Sequence, residues 1–64
     1  MNTLTITWAA ARVNAGKTQK ETAEYMGVSP NTVVAWEKGE AEPKLSDARK
    51  LSEFYNFPLD NIRT

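Results

Sequence analysis

Cysteine and histidine are both absent from this chain. Their absence removes disulfides, zinc sites of the Cys/His type, thiol nucleophiles and imidazole bases together. Glycine and proline are scarce, at three each, and the chain has no low-complexity segment and no internal repeat. No apolar run approaches the length of a membrane span, and the first residues lack a basic stretch followed by an apolar one. A cytoplasmic protein is therefore expected. An excess of charge is missing too. Eight basic and eight acidic residues cancel, where many nucleic-acid modules are strongly basic. The carboxylates are scattered, and no motif joins a nucleophile to a base or cradles a phosphate in glycines. An enzyme is excluded on those grounds, and the sequence calls for no cofactor and no metal.

What the chain does have is punctuation. Its 64 residues, 41 % of them hydrophobic, fit a single domain over 1–64 with a small core, near the size where stability becomes marginal. Glycines 16, 27 and 39 all fall where helices would end, and prolines 30, 43 and 58 near where helices would start. Five helices follow, an all-α architecture. The first spans Leu4 to Ala15, with Leu4, Trp8, Ala11 and Ala15 at helical spacing. The second spans Gln19 to Met26, opened by Thr18-x-x-Glu21, a capping box in which hydroxyl and carboxylate each satisfy the other residue's amide. Ser29 is expected to cap the third, which begins at Pro30 and runs to about Lys38. The fourth spans about Lys44 to Tyr55, with Leu45, Ala48, Leu51, Ser52 and Tyr55 along one side. A last short turn covers Leu59 to Ile62.

The second and third helices, with Gly27 in the turn between them, make a helix-turn-helix. On the third helix, Val33 and Trp36 point one way and can enter a core with Ala23, Met26 and Val28. Asn31, Val34, Ala35 and Lys38 share the other side. This stripe carries one amide, two small apolar side chains and one terminal cation, where a plain solvated face would carry more charge. An amide suits an adenine edge, a small apolar group a thymine methyl, and a lysine a phosphate. The same stripe also suits packing against a neighbouring helix or subunit, because apolar stripes are usually buried. Spacing leaves both readings open. Gln19, in the first turn of the second helix, stands where free amides and the helix dipole favour an anion. Lys17 and Lys20 flank it.

Taken together, Arg12, Gly16, Thr18-Gln19, Ala23, Met26-Gly27-Val28-Ser29, Val33, Trp36-Glu37, Gly39 and Pro43 resemble the Cro/lambda-repressor type of helix-turn-helix, often called XRE. The likeness extends weakly through Leu51-Ser52, Tyr55 and Phe57 and so covers nearly the whole chain. It implies a lambda-repressor-like DNA-binding domain of five helices. It also implies sequence-specific binding to double-stranded DNA by a small regulator, repressor-like and nucleoid-associated, usually a homodimer. By position, the resemblance gives Gln19 a phosphate contact and a bracing role. Pro30, Asn31, Thr32 and Ala35 would face bases or the adjoining backbone, and Lys38 the backbone at the helix end. It makes Arg12 and Glu37 a structural ion pair. The sequence departs from the pattern at Pro30 and Ala35, which offer no hydrogen-bonding side chain, and at Glu40 and Glu42, in a loop where relatives often place basic groups. The apolar end, Phe57, Leu59 and Ile62, is a candidate dimer surface, or else it closes the core. A protein-interaction module of the antitoxin kind, holding a partner protein, is the alternative.

Overall fold

In the computed structural model, residues 6–58 and 62–63 are described. The order of elements is β1 (Ile6–Thr7), α1 (Trp8–Asn14), α2 (Gln19–Met26), α3 (Pro30–Lys38), α4 (Leu45–Tyr55) and β2 (Ile62–Arg63). The described structure is therefore helical apart from one short ladder. None of the described helices is long and apolar enough to cross a membrane.

Three helices sit where the glycine and proline punctuation puts them, and local chemistry explains why. At α2 the capping box is complete: the Glu21 amide donates to Thr18 Oγ1 at 2.9 Å and the Thr18 amide to Glu21 Oε1 at 2.8 Å. The Thr18 amide bond holds the Glu21 carboxyl below the usual carboxylate range, because it favours the charged form. At the far end Gly27 adopts φ +72°. That left-handed backbone lets the Val28 amide reach the Ala23 carbonyl at 3.0 Å, and it turns the chain into α3. The same closure at the end of α4 is made by Asn56, at φ 55°, with the Phe57 amide on the Ser52 carbonyl. Asparagine is the side chain that best tolerates this backbone after glycine.

Four sequence expectations are corrected. The first helix begins at Trp8, since Thr7 is its N-cap and accepts the Ala10 amide at 3.1 Å, while Ile6 and Thr7 are extended. Its expected beginning at Leu4 lies outside the described residues. Two β-branched residues and a capping hydroxyl favour a strand and a helix start over a helix interior. Ser29 occupies the N-cap of α3 but makes no side-chain cap bond. Its hydroxyl instead lies 3.2 Å from Thr32 Oγ1. Leu45, expected on the buried side of α4, is 62 % exposed because it stands in the first turn, ahead of the packed stretch. Finally, four helices rather than five are present among the described residues. Leu59 to Asn61 lie outside those residues, and Ile62 is extended, its backbone paired in parallel with Ile6, and Arg63 with Thr7.

The core is built by all four helices: Trp8 and Ala11 from α1, Ala23 from α2, Val33 and Trp36 from α3, and Ala48, Leu51 and Tyr55 from α4. Met26, Val28, Ala15, Phe54 and Phe57 pack around it, partly buried. Burying Val33 and Leu51 stabilises the fold by roughly 1.5–3 kcal/mol apiece. Thr22 is the buried polar residue of this core, and it is wholly inaccessible.

Candidate nucleic-acid interface

The candidate site is the outer side of α2 and α3, and its rigidity comes from behind. Glu37, near the end of α3, receives three side-chain donors. Arg12 Nε lies 2.7 Å from Oε2, Arg12 Nη2 3.4 Å from Oε1, and Gln19 Nε2 3.0 Å from Oε1. Arg12 Nη1 also donates to the Lys17 carbonyl at 2.9 Å. One carboxylate thus ties α1, the loop before α2, the first turn of α2 and the end of α3 together. The side chains are 16 % exposed for Arg12 and 8 % for Glu37, so the pair is screened far less than a surface bridge.

The structure brings Gln19 into this clamp. One of its two amide hydrogens goes to Glu37, which orients the group and leaves the other hydrogen free. The backbone amides of Gln19 and Lys20 are the first two of α2. Helix geometry gives them no partner within α2, and none of the described backbone bonds engages them.

Along α3, Pro30, Asn31 and Lys38 are exposed, and Thr32, Val34 and Ala35 are half-buried. Neither Val34 nor Ala35 belongs to the core cluster. The stripe that spacing left open is thus not consumed by packing within the chain. Lys20 is exposed, whereas Lys17 is half-buried with its ammonium 4.8 Å from the centre of the Phe54 ring. Attraction between the cation and the ring face draws it toward α4. Of the apolar end, Phe57 is half-buried against the core. Leu59 and the side chain of Ile62 lie outside the described residues.

The loop after α3 is fixed at its start. Gly39 has φ +78°, and the Glu40 and Ala41 amides both donate to the Ala35 carbonyl, at 3.0 and 3.3 Å. Glu40 and Glu42 are exposed beside the end of α3.

Two features were missed from the sequence. Tyr25 stacks on Phe54 with ring centroids 4.2 Å apart, a contact between α2 and α4 that neither helix's periodicity announces. Tyr55, at the end of α4, donates its hydroxyl to Thr22 Oγ1 at 3.3 Å, and the Thr22 hydroxyl donates to the Thr18 carbonyl at 2.9 Å. Burial pushes the Tyr55 phenol above its ordinary value, so it remains a donor across neutral pH. A threonine four residues past an N-cap was the only available hint of this chain of bonds.

Comparison with known proteins gives the following. A family described as helix-turn-helix matches residues 9–62. The cryptic phage CTXphi transcriptional repressor RstR of Vibrio cholerae is 44 % identical over 51 residues, covering 80 % of this chain and 46 % of that protein. An uncharacterized HTH-type transcriptional regulator of Methanocaldococcus jannaschii is 38 % identical over 45 residues, covering 70 % of this chain and 68 % of its own. The HTH-type transcriptional regulator ImmR of Bacillus subtilis is 36 % identical over 52 residues, covering 81 % and 41 %. The chain thus spans about half the length, or less, of two of these three relatives. No solved structure matches it significantly.

Proposed function

The chain belongs to the helix-turn-helix family, and from that premise we infer that it is a transcriptional regulator, repressor-like, that binds double-stranded DNA. In this reading α3 enters the major groove. Asn31 and Thr32 read base edges, while Val34 and Ala35 meet thymine methyls. Lys38, Lys20 and the first turn of α2 take phosphates, and Pro30 lies against the backbone. Lys17 contributes only if its ammonium leaves the Phe54 ring.

The observation that carries the reading is the clamp on Glu37. It fixes α2 against α3 while leaving Asn31 and Lys38 exposed and Val34 and Ala35 outside the core. An interface that meets a rigid duplex needs that combination of a held scaffold and an uncommitted face. The protein acts as a single domain and as a homodimer, its two recognition helices about 34 Å apart on a two-part site. Phe57, Leu59 and Ile62 are the proposed contact between copies.

Selection of binding sites from random duplex DNA, followed by titration at two salt concentrations, tests this. An inverted repeat with half-sites one helical turn apart is the expected winner. Asn31→Ala should then cost about 1–3 kcal/mol on the selected site and much less on random DNA. Equal losses on both would remove Asn31 as a base reader. A second reading, a module that holds a partner protein, draws on the exposed Glu40 and Glu42 beside α3 and on the balanced net charge. No enrichment at low salt from a folded protein would favour it.

A further inference from the structure

We propose that Tyr55 and Thr22 are positioning residues for DNA binding, forming a buried hydrogen-bond relay that sets the first turn of α2 against a phosphate. The inference deepens the DNA-binding reading and rests on it.

The relay has three members. Tyr55 donates to Thr22 Oγ1 at 3.3 Å, and Thr22 in turn donates to the Thr18 carbonyl at 2.9 Å. That carbonyl also accepts the Thr22 amide at 3.0 Å, so both of its lone pairs are engaged. Thr18 is the N-cap of α2, and its amide and hydroxyl are bound by Glu21. Every polar group of the N-cap residue therefore has a partner. The next two amides, of Gln19 and Lys20, have none within the described backbone. Any rotation of the Thr18 peptide would swing these free donors away from a phosphate. The relay resists such rotation from inside the core, where the Tyr55 ring lies 6.5 Å from that of Trp8, tilted at 58°.

Stability alone does not call for these hydroxyls. Thr22 is wholly inaccessible and Tyr55 4 % exposed. A chain of 64 residues has few core positions, and valine with phenylalanine would fill these two with nearly the same shape. Replacing both partners of a buried hydrogen bond by apolar isosteres is close to neutral for stability. Bonding of a helical threonine to the carbonyl four residues back is common and accounts for Thr22 with Thr18. It does not account for the tyrosine hydroxyl that reaches the same threonine oxygen from another helix. What the hydroxyls add is direction at the N-cap.

The test uses the whole chain with the double variant Thr22→Val/Tyr55→Phe, and with Tyr55→Phe alone, which removes only one oxygen. Melting is followed by circular dichroism, and binding to the selected duplex is titrated over a range of salt. The double variant is expected to melt within a few degrees of the unaltered chain and to bind several-fold more weakly. Its slope of log affinity against log salt should also be shallower by about 0.9, the share of one phosphate contact. Thr22→Ser, which keeps the hydroxyl, should retain the full slope. Unaltered affinity and slope in both variants that carry Tyr55→Phe would overturn the proposal and leave DNA binding standing. A much lower melting temperature with an unchanged slope would also overturn it, by making the relay a matter of stability. If the unaltered chain binds no duplex at low salt, the DNA-binding reading fails first, and the relay's proposed role fails with it.

Discussion

At the scale of single residues, Glu37 carries more of this molecule than any other side chain outside the apolar core. It accepts from Arg12 twice and from Gln19 once, and it is almost covered. A nearly buried carboxylate that loses its cation keeps its desolvation penalty without the compensating attraction. Arg12→Ala should therefore lower stability by about 3–5 kcal/mol, with Glu37→Gln milder because the amide can still accept from Gln19. Denaturant titration measures both. For a domain this small the first figure is a large part of total stability. Lost DNA binding in Arg12→Ala must accordingly be measured well below its midpoint, where the chain is still folded. A loss under 1 kcal/mol would mean that the pair behaves as a surface bridge.

At the scale of elements, helix ends decide the fold, and their chemistry gives a prediction in two parts. Thr18→Ala removes the hydroxyl that satisfies the Glu21 amide and should cost ~0.5–2 kcal/mol in a thermal or denaturant melt. The other half of the box is acid-sensitive. The Glu21 pKa is lowered in the folded state, so its contribution is present above the ordinary carboxylate value and is lost as pH falls through the folded one. Thr18→Ala and Glu21→Gln should each flatten that part of the acid melting profile, whereas a variant on the exposed side of α4 should leave it unchanged. These ends were legible in the sequence because each has a local signature: a capping box for α2, Pro30 and Gly39 for α3, glycine or asparagine where φ turns positive. What was illegible is nonlocal. Nothing near Ile6 says that its backbone pairs with that of Ile62, more than fifty residues away. Nothing in the period of α4 distinguishes a tyrosine kept for its hydroxyl from one kept for its ring. Arg12 and Glu37 became a pair only through family resemblance, since 25 residues separate them.

At the scale of the whole molecule, the balance of eight against eight charges bears on how strongly any surface of this chain can attract DNA. Non-specific binding is almost wholly electrostatic, and each cation that meets a phosphate steepens the salt dependence. The cations near the proposed interface are few. Lys20 and Lys38 are exposed, Arg12 is spent on Glu37, and the Lys17 ammonium rests on Phe54. Against them stand Glu40 and Glu42, exposed just past the end of α3, with Glu40 anchored through its amide to Ala35. A carboxylate held near a phosphate repels it over a Debye length of roughly 10 Å at 0.1 M salt. The repulsion acts on every duplex alike, so it lowers affinity for random DNA without touching base readout. Glu40→Gln/Glu42→Gln should therefore strengthen binding to random DNA at low salt by several-fold. Binding to the selected site should strengthen by a similar factor, and both gains should shrink as salt rises. Fluorescence anisotropy with two labelled duplexes at low and high salt measures all four affinities. A gain confined to the selected site would mean that these carboxylates disfavour a particular base contact. No gain on either duplex would place the loop away from DNA and leave its acidic face free for a protein partner.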